Sequence, residues 1–482
     1  RQLTAGDFDH VGLAFAPNGS TLVTISARHD DRDHDLAAEL IELELALDLD
    51  VDPDGAAPGV PERTLLAASA RLHIGQVAWA NDGSIFLLAE DVGESGRDFV
   101  ARTTGLFVLD SAGQPIRLTD AESIDLESTS ELGVTVDGSV LALSKEHGRV
   151  QLVRISATGE VTPVTSSTVV VTGHDTVGEN TVFAFQDALT SGDLALAETP
   201  RLRRLTNFSA PLRETGIAPA RELTVTGRDG YPVHGWLLTP PGPGPHPVLL
   251  TIHGGPFAQY TVALFDEAQV FVDAGYAVVM CNPRGSSGYG HAHGRAIRQQ
   301  MGVLDQADVL DFLDGALAED PTLDQLRVGI MGGSYGGFLT AWTIAHEHRF
   351  AAAIVERGYL DPDAFVGTSD IGDSFSDEYV GVDPDLVRAQ SPQAVVAQVR
   401  TPTLVMHSAL DLRCPLSQAE RYYSALRRGG VTAELVVFPG ENHELSRGGS
   451  PRHRLSRFEI ILEWWARYLP TADNPPRQLP ED

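Results

Sequence analysis

Hydrolytic chemistry can be built from a serine, a histidine and a carboxylate, provided folding gathers them. The stretch RVGIMGGSYGGFLTAWTIAHEH (residues 327–348) sets one serine, Ser334, among glycines, between an apolar run and an apolar-periodic segment. Gly332-Gly333-Ser334-Tyr335-Gly336 fits G-x-S-x-G, the pattern of a sharp strand-to-helix turn that exposes a serine hydroxyl at a sheet edge. The bland reading is a glycine-rich structural turn. A serine alone is a poor nucleophile and needs a base held in one tautomer by a third group.

Downstream, Asp411 lies just past TPTLVMHSAL, where a strand ends, and His443 lies in FPGENHELSRGG, just past AELVVF. The order Ser334, Asp411, His443 is the one the α/β-hydrolase plan requires. His407 sits on a strand end, His453 falls at the start of the terminal helix, and Asp361, Asp363, Asp370 and Asp373 precede the next strand. These compete less well for the same roles. An oxyanion needs backbone N–H groups aimed at developing charge. His253-Gly254-Gly255-Pro256, closing the strand in TIHGG, supplies a turn where backbone can approach a ligand, so Gly255 and Tyr335 are the candidate donors. Arg284 (in NPRGSSGYG), Arg413 (in DLRCP) and His253 are candidate substrate contacts. A lone arginine is ordinarily a structural donor, but either could grip a carbonyl or a terminal carboxylate.

The elements that must position these residues follow from periodicity. Near-continuous apolar runs at 248–252, 276–280, 328–331, 351–355, 403–406 and 434–438 read as strands covered on both faces. Helix-length segments at 262–274, 304–318, 337–346, 416–427 and 455–468 alternate with them, which predicts a mostly parallel sheet. A further hairpin, turning at Asp229-Gly230, precedes them.

The first two hundred residues read differently. LAFAPNGSTLVTIS, VAWANDGSIFLLAE and LGVTVDGSVLALSK each turn at Asn-Gly or Asp-Gly, and HDTVGENTVFAFQD is a weaker copy around Gly178. Between them recur LFVLDSAGQPIRLT, VRISATGEVTPVT and LALAETPRLRRLT. One hairpin plus one such piece makes a four-stranded unit, and repeats of this kind predict β-propeller blades rather than a sandwich. The stretch DDRDHDLAAELIELELALDLD reads as a lengthened segment in the first repeat. The opening RQLT matches the endings IRLT and RRLT, so the chain is expected to start on the last strand of a blade and the propeller to be N-terminally incomplete. The expected organisation is a partial propeller of about four blades over 1–207, an α/β-hydrolase domain over 208–475 and a polar tail over 476–482.

At 482 residues the chain exceeds one ordinary core. Its 66 acidic against 35 basic side chains give a net charge of −31, which argues against nucleic acid and anionic membrane as partners. Lys145 is the only lysine, which nearly closes off Schiff-base chemistry. Cys281 and Cys414, far apart, predict neither a disulfide framework nor a cysteine zinc site. No apolar run reaches membrane-spanning length, and the N-terminus carries neither an initiator Met nor a signal-like apolar core. A cytoplasmic location is the expectation, with a lost signal left open. Neither a metal nor a cofactor is expected, and a homo-oligomer is compatible with all of this.

HGGP (253–256), NPRGSSGYG (282–290), GGSYGG (332–337), GTSDIG (367–372), DLRCP (411–415) and ENHELSRGG (441–449) together resemble the prolyl oligopeptidase family of serine peptidases, in its acylaminoacyl-peptidase branch. The resemblance covers the α/β half in order; the propeller half matches only in architecture. It implies Ser334 as nucleophile, His443 as base, Asp411 as its orienter, the N–H groups of Gly255 and Tyr335 as oxyanion donors, and Arg413 at the border of the site. It further implies a propeller that caps the catalytic face and admits short peptides. HSALD replaces the family's more usual Gly-Glu pair after the strand, with Asp411 retained. The resulting expectation is a serine exopeptidase acting on short or N-acylated peptides. A dipeptidyl aminopeptidase, a carboxypeptidase-like oligopeptidase and an esterase share the same triad. A binding scaffold with an inert hydrolase domain is the non-enzymatic alternative.

Overall fold

A computed structural model of the chain describes residues 3–45, 60–165, 168–178, 180–198 and 201–476. Two compact units emerge. One comprises residues up to Arg213 together with Thr261–Ala263 and Ser287–Ala292; the other comprises Glu214–Tyr260, Leu264–Ser286 and the remainder from His293.

The first unit is all β and carries the repeat seen in the sequence. Strands Val11–Phe15, Thr21–Ser26, Glu39–Glu44 and Glu62–Leu66 form one antiparallel meander, and Leu72–Trp79, Ile85–Asp91, Gly105–Leu109 and Pro115–Arg117 form a second. A nine-stranded sheet holds two further meanders, ending at Val161–Pro163 and Arg201–Arg204, joined through one parallel pairing of Val150 with Val170. Three hairpins share a local cause. The side chains of Asn18, Asp82 and Asp137 accept the N–H of the serine two residues on, at 2.9, 2.9 and 3.1 Å, which closes the turn around the intervening glycine. The lengthened segment is less of an insertion than its length suggests, because Glu39–Glu44 supplies the third strand of the first meander. Its residues 46–50 lie outside those described, as do Arg1 and Gln2 of RQLT. Leu3 and Thr4 belong to no strand, and Leu3 packs near Leu22, Ile41 and Leu43. Residues 477–482 of the expected tail also lie outside the described residues.

The second unit is an eight-stranded sheet: β1 (Arg221–Thr226), β2 (Pro232–Leu238), β3 (His246–Ile252), β4 (Ala277–Asn282), β5 (Leu323–Gly333), β6 (Ala352–Glu356), β7 (Thr403–Ser408) and β8 (Ala433–Phe438). The spatial order is β1-β2-β4-β3-β5-β6-β7-β8, antiparallel at the first two strands and parallel from β4 onward. Five helices matter to the site: α1 (Asp266–Asp273), α2 (Leu304–Glu319), α3 (Tyr335–His346), α4 (Leu416–Arg428) and α5 (Pro451–Tyr468). Strands β4, β6 and β7 are buried at every position, as apolar runs require when both faces are covered. Three helix starts differ from the sequence reading; α3 begins at Tyr335, not 337. Helix α1 begins at Asp266, not 262, where Asp266 and Glu267 favour the positive end of the helix dipole. Helix α5 begins at Pro451, not 455, because proline at the first helical position is preset in φ and lacks only an N–H that would be unpaired there.

Candidate active site

Because β3 to β8 run parallel, their C-terminal ends share one edge. Ile252 pairs with Gly332, Gly333 with Glu356, Glu356 with Met406, and Ser408 with Phe438. Ser334 follows β5, Asp411 follows β7 and His443 follows β8, so three sequence-distant loops open on the same edge.

Ser334 sits at φ 62°, ψ −119°, between the end of β5 and the start of α3. Such a conformation is costly for a residue with a Cβ and persists only where its surroundings enforce it. The enforcement is steric. A Cβ on Gly336 would overlap the carbonyl oxygen of Ile252, and one on Gly332 would overlap the backbone of Gly336. Only glycines allow β5 to turn so tightly into α3 beside β3.

His443 Nε2 lies 3.1 Å from Ser334 Oγ, and His443 Nδ1 lies 2.8 Å from Asp411 Oδ2. Asp411 is buried, and its other carboxylate oxygen accepts the Cys414 N–H at 2.8 Å. The carboxylate is therefore held from one side by its own loop and offers the other side to the imidazole. His407 is buried and donates from Nε2 to the Cys414 carbonyl at 2.6 Å, while burial pushes its pKa down. His453 is bound to Glu441 at 2.6 Å. Asp361 caps a short helix (Pro362–Val366) and pairs with Arg421 at 2.7 Å.

The turn after β3 is fixed by its own histidine. His253 Nδ1 lies 2.7 Å from the Gly254 carbonyl oxygen and Nε2 lies 3.0 Å from Ser286 Oγ. Burial lowers the pKa of His253 to about 4, against a smaller opposing effect of the Gly254 carbonyl, so the ring is neutral near pH 7. Nδ1 then donates to Gly254 O. A trans-like amide points its N–H opposite to its C=O. Anchoring the Gly254 carbonyl therefore orients the Gly255 N–H away from the imidazole. Gly254 itself abuts the serine, since a Cβ there would lie 3.4 Å from Ser334 Cβ. The Tyr335 N–H opens α3, where helical N–H groups have no partner one turn back. Neither N–H is taken by an acceptor among the described residues.

The two arginines depart from the substrate-facing expectation to different degrees. Arg284 is buried; Nε and one terminal nitrogen bind Asp308 at 2.9 and 2.6 Å, the other binds Asp229 at 2.8 Å, and the guanidinium lies over the Tyr231 ring. Two carboxylates and a ring occupy it, and its place in the fold is structural. Arg413 is half exposed and pairs with Asp370 at 2.8 Å, so it presents an ion pair rather than a bare cation.

Sequence reasoning missed three supports. Asp305, at the start of α2, accepts the Tyr335 hydroxyl at 2.6 Å. Glu356 ends β6 in a bidentate pair with Arg457 of α5, at 2.7 Å on both oxygens. Arg357 donates to the His443 carbonyl at 3.0 Å. The available signal was a charged Glu-Arg dipeptide closing the otherwise apolar run AAAIV. Among the described residues, no cluster of three or more His, Cys, Asp or Glu side chains could hold a metal ion, and no helix is long and apolar enough to cross a membrane.

A parallel sheet with this strand order, a strained serine after β5, and an aspartate and a histidine after β7 and β8 defines the α/β-hydrolase class. Within that class, residues 262–471 match the model of the prolyl oligopeptidase family. The chain is 40% identical over 265 residues to the uncharacterized peptidase YuxL of Bacillus subtilis, covering 54% of this chain and 40% of that protein. It is 31% identical over 234 residues to the acylamino-acid-releasing enzyme of Arabidopsis thaliana, covering 46% and 30% respectively. The chain thus spans well under half the length of these two relatives in the matched region. The uncomplexed acylaminoacyl peptidase of Pyrococcus horikoshii superposes with a TM-score of 0.83 at 24% identity, over 98% of this chain and 72% of that one. That likeness establishes the propeller-plus-hydrolase fold.

Proposed function

We propose that the chain is a serine peptidase that cleaves short or N-acylated peptides through an acyl-enzyme. The observation that carries this reading is the hydrogen-bonded series Ser334 Oγ, His443 Nε2, His443 Nδ1, Asp411 Oδ2, at 3.1 and 2.8 Å. Ser334 Oγ attacks the scissile carbonyl carbon while its proton passes to His443 Nε2. Asp411 holds Nδ1–H and stabilises the imidazolium. The N–H groups of Gly255 and Tyr335 take the tetrahedral oxyanion. The C–N bond then breaks as His443 protonates the departing amine, leaving an ester on Ser334. Water, deprotonated by His443, adds to that ester, and Ser334 leaves with the proton.

Two considerations favour an acylated or short peptide end over the alternatives. The Arabidopsis relative bears the name of an acylamino-acid-releasing enzyme. A carboxypeptidase-like grip needs uncommitted arginines, whereas Arg284 is spent on two carboxylates and Arg413 carries Asp370. The test is a parallel assay of acyl-amino-acid anilides, free dipeptide anilides, blocked peptides with free C-termini, and nitrophenyl esters. Preferential turnover of the acyl-amino-acid anilides is expected. Turnover of esters alone would contradict the peptidase reading, and preference for free dipeptide anilides would move it to a dipeptidyl aminopeptidase.

A further inference from the structure

Arg357 is an unusual residue in an unusual place. It follows β6 with φ 39°, a left-handed backbone that side chains with a Cβ seldom adopt. Its N–H is tied to the Met406 carbonyl of β7 at 2.8 Å, which fixes the backbone there. The side chain is buried, with 8% exposure, yet among the described residues no carboxylate lies within ion-pair distance of its guanidinium. The nearby carboxylates that feel its charge are engaged elsewhere: Glu356 by Arg457 and Glu444 by Arg447. A buried cation with no carboxylate in direct contact is costly and calls for a compensating purpose.

Its contacts supply one. Nε donates to the main-chain carbonyl of His443, on the loop after β8, at 3.0 Å, and one terminal nitrogen donates to Ser446 Oγ, on the short helix Leu445–Gly448 that follows, at 3.2 Å. The other terminal nitrogen has no hydrogen-bond partner among the described residues and packs on the elbow, filling the space where a Cβ on Gly333 would stand. One planar group therefore touches the residue before the serine and the backbone of the histidine. The guanidinium suits this because its donors form a rigid fork.

We propose that Arg357 is a positioning residue that ties the loop of His443 to the elbow of Ser334 and so sets the distance between imidazole and hydroxyl. The proposal rests on the relay described under the proposed function. Arg357 touches neither substrate nor reacting atoms. It acts through His443, and losing it lets the base drift while the substrate surface stays intact.

The test reads the second-order rate of Ser334 phosphonylation by a fluorophosphonate, which needs the serine–histidine relay but no peptide recognition. Wild type, Arg357→Met and Arg357→Lys are compared at 25 °C, each with its melting temperature, and kcat and KM are measured on a substrate that wild type turns over. Arg357→Met is expected to label ~10- to 100-fold more slowly, with the loss in kcat and KM within about twofold, as a misplacement of about 1 Å would produce. Arg357→Lys, whose single ammonium cannot hold both acceptors, should fall between. Added guanidinium ion at millimolar concentration should speed labelling of Arg357→Met and not of wild type. A folded Arg357→Met that labels within about twofold of wild type overturns the proposal. If that variant does not fold, a folded Arg357→Lys labelling at the wild-type rate overturns it. Reactive wild type without peptide turnover would count against the peptidase reading alone.

Discussion

His253 donates from Nδ1 to the carbonyl of Gly254, 2.7 Å away, and so sets the direction of the Gly255 N–H. The side chain that looked like a substrate contact in the sequence orients a backbone donor. Replacing it with alanine frees that peptide to rotate. Losing one oxyanion donor outright costs ~100- to 1,000-fold in kcat. His253→Ala should therefore lose roughly 10- to 100-fold in kcat, with a smaller change in KM, and His253→Gln should lose less. Steady-state kinetics check this, and an unchanged kcat in His253→Ala would remove the orienting role.

The Tyr335 hydroxyl and its N–H have separate tasks. The hydroxyl is bound to buried Asp305 at 2.6 Å, remote in bonding terms from Ser334. Tyr335→Phe leaves a buried acceptor short of a donor, which costs about 1–3 kcal/mol. Chemical denaturation should show that loss, while kcat per folded molecule stays within about threefold of wild type. A large fall in kcat with unchanged stability would place the hydroxyl in the chemistry.

Two buried carboxylates push acid stability in opposite directions. Burial raises Glu356, but Arg457 foremost, with Arg357 and His407, outweighs it and holds the pKa at about 2. Its contribution is present above the unfolded value of 4.5 and is lost as pH falls toward 2, on the order of 3 kcal/mol in all. Burial raises Asp305 to about 6 in spite of the hydrogen bonds from Tyr335, Gly302 and Gln306. Between 3.8 and about 6 the native state binds more protons there than the unfolded state, so that contribution is lost as pH rises through this window. Denaturation midpoints from pH 3 to 7 should thus climb less steeply with pH in Glu356→Gln, and more steeply in Asp305→Asn, than in wild type.

The elbow tolerates no added carbon at Gly336. A Cβ there would overlap the Ile252 carbonyl, which is backbone and cannot swing aside. Overpacking of this kind costs about 1–3 kcal/mol. Gly336→Ala should lower the melting temperature and also slow labelling of Ser334, because relief requires α3 to move relative to β3. A variant as stable and as reactive as wild type would show that the elbow is less constrained than its geometry indicates.

The fold was legible wherever local chemistry governs it. Asn18, Asp82 and Asp137 write their hairpins directly into the sequence, and the apolar runs of β3 to β8 announce a covered parallel sheet. Ser334, Asp411 and His443 were legible because each follows a strand whose end could be located. Arg357, Asp305 and the Glu356–Arg457 pair were not, because their roles depend on which strands lie side by side. Arg284 misled for the same reason: nothing local reveals that Asp308, a helix away, will claim its guanidinium. The extent of α5 was misjudged because the polar first turn, PRHR, hides a helix start that proline permits.

The central claim is that Ser334 is the nucleophile that His443 activates, and mapping a fluorophosphonate adduct tests it most directly. Intact mass and peptide mapping of the labelled wild type should find a single adduct on Ser334, and Ser334→Ala, folded and equally stable, should carry none and turn over no substrate. An adduct on another residue, or equal labelling of the alanine variant, would contradict the account.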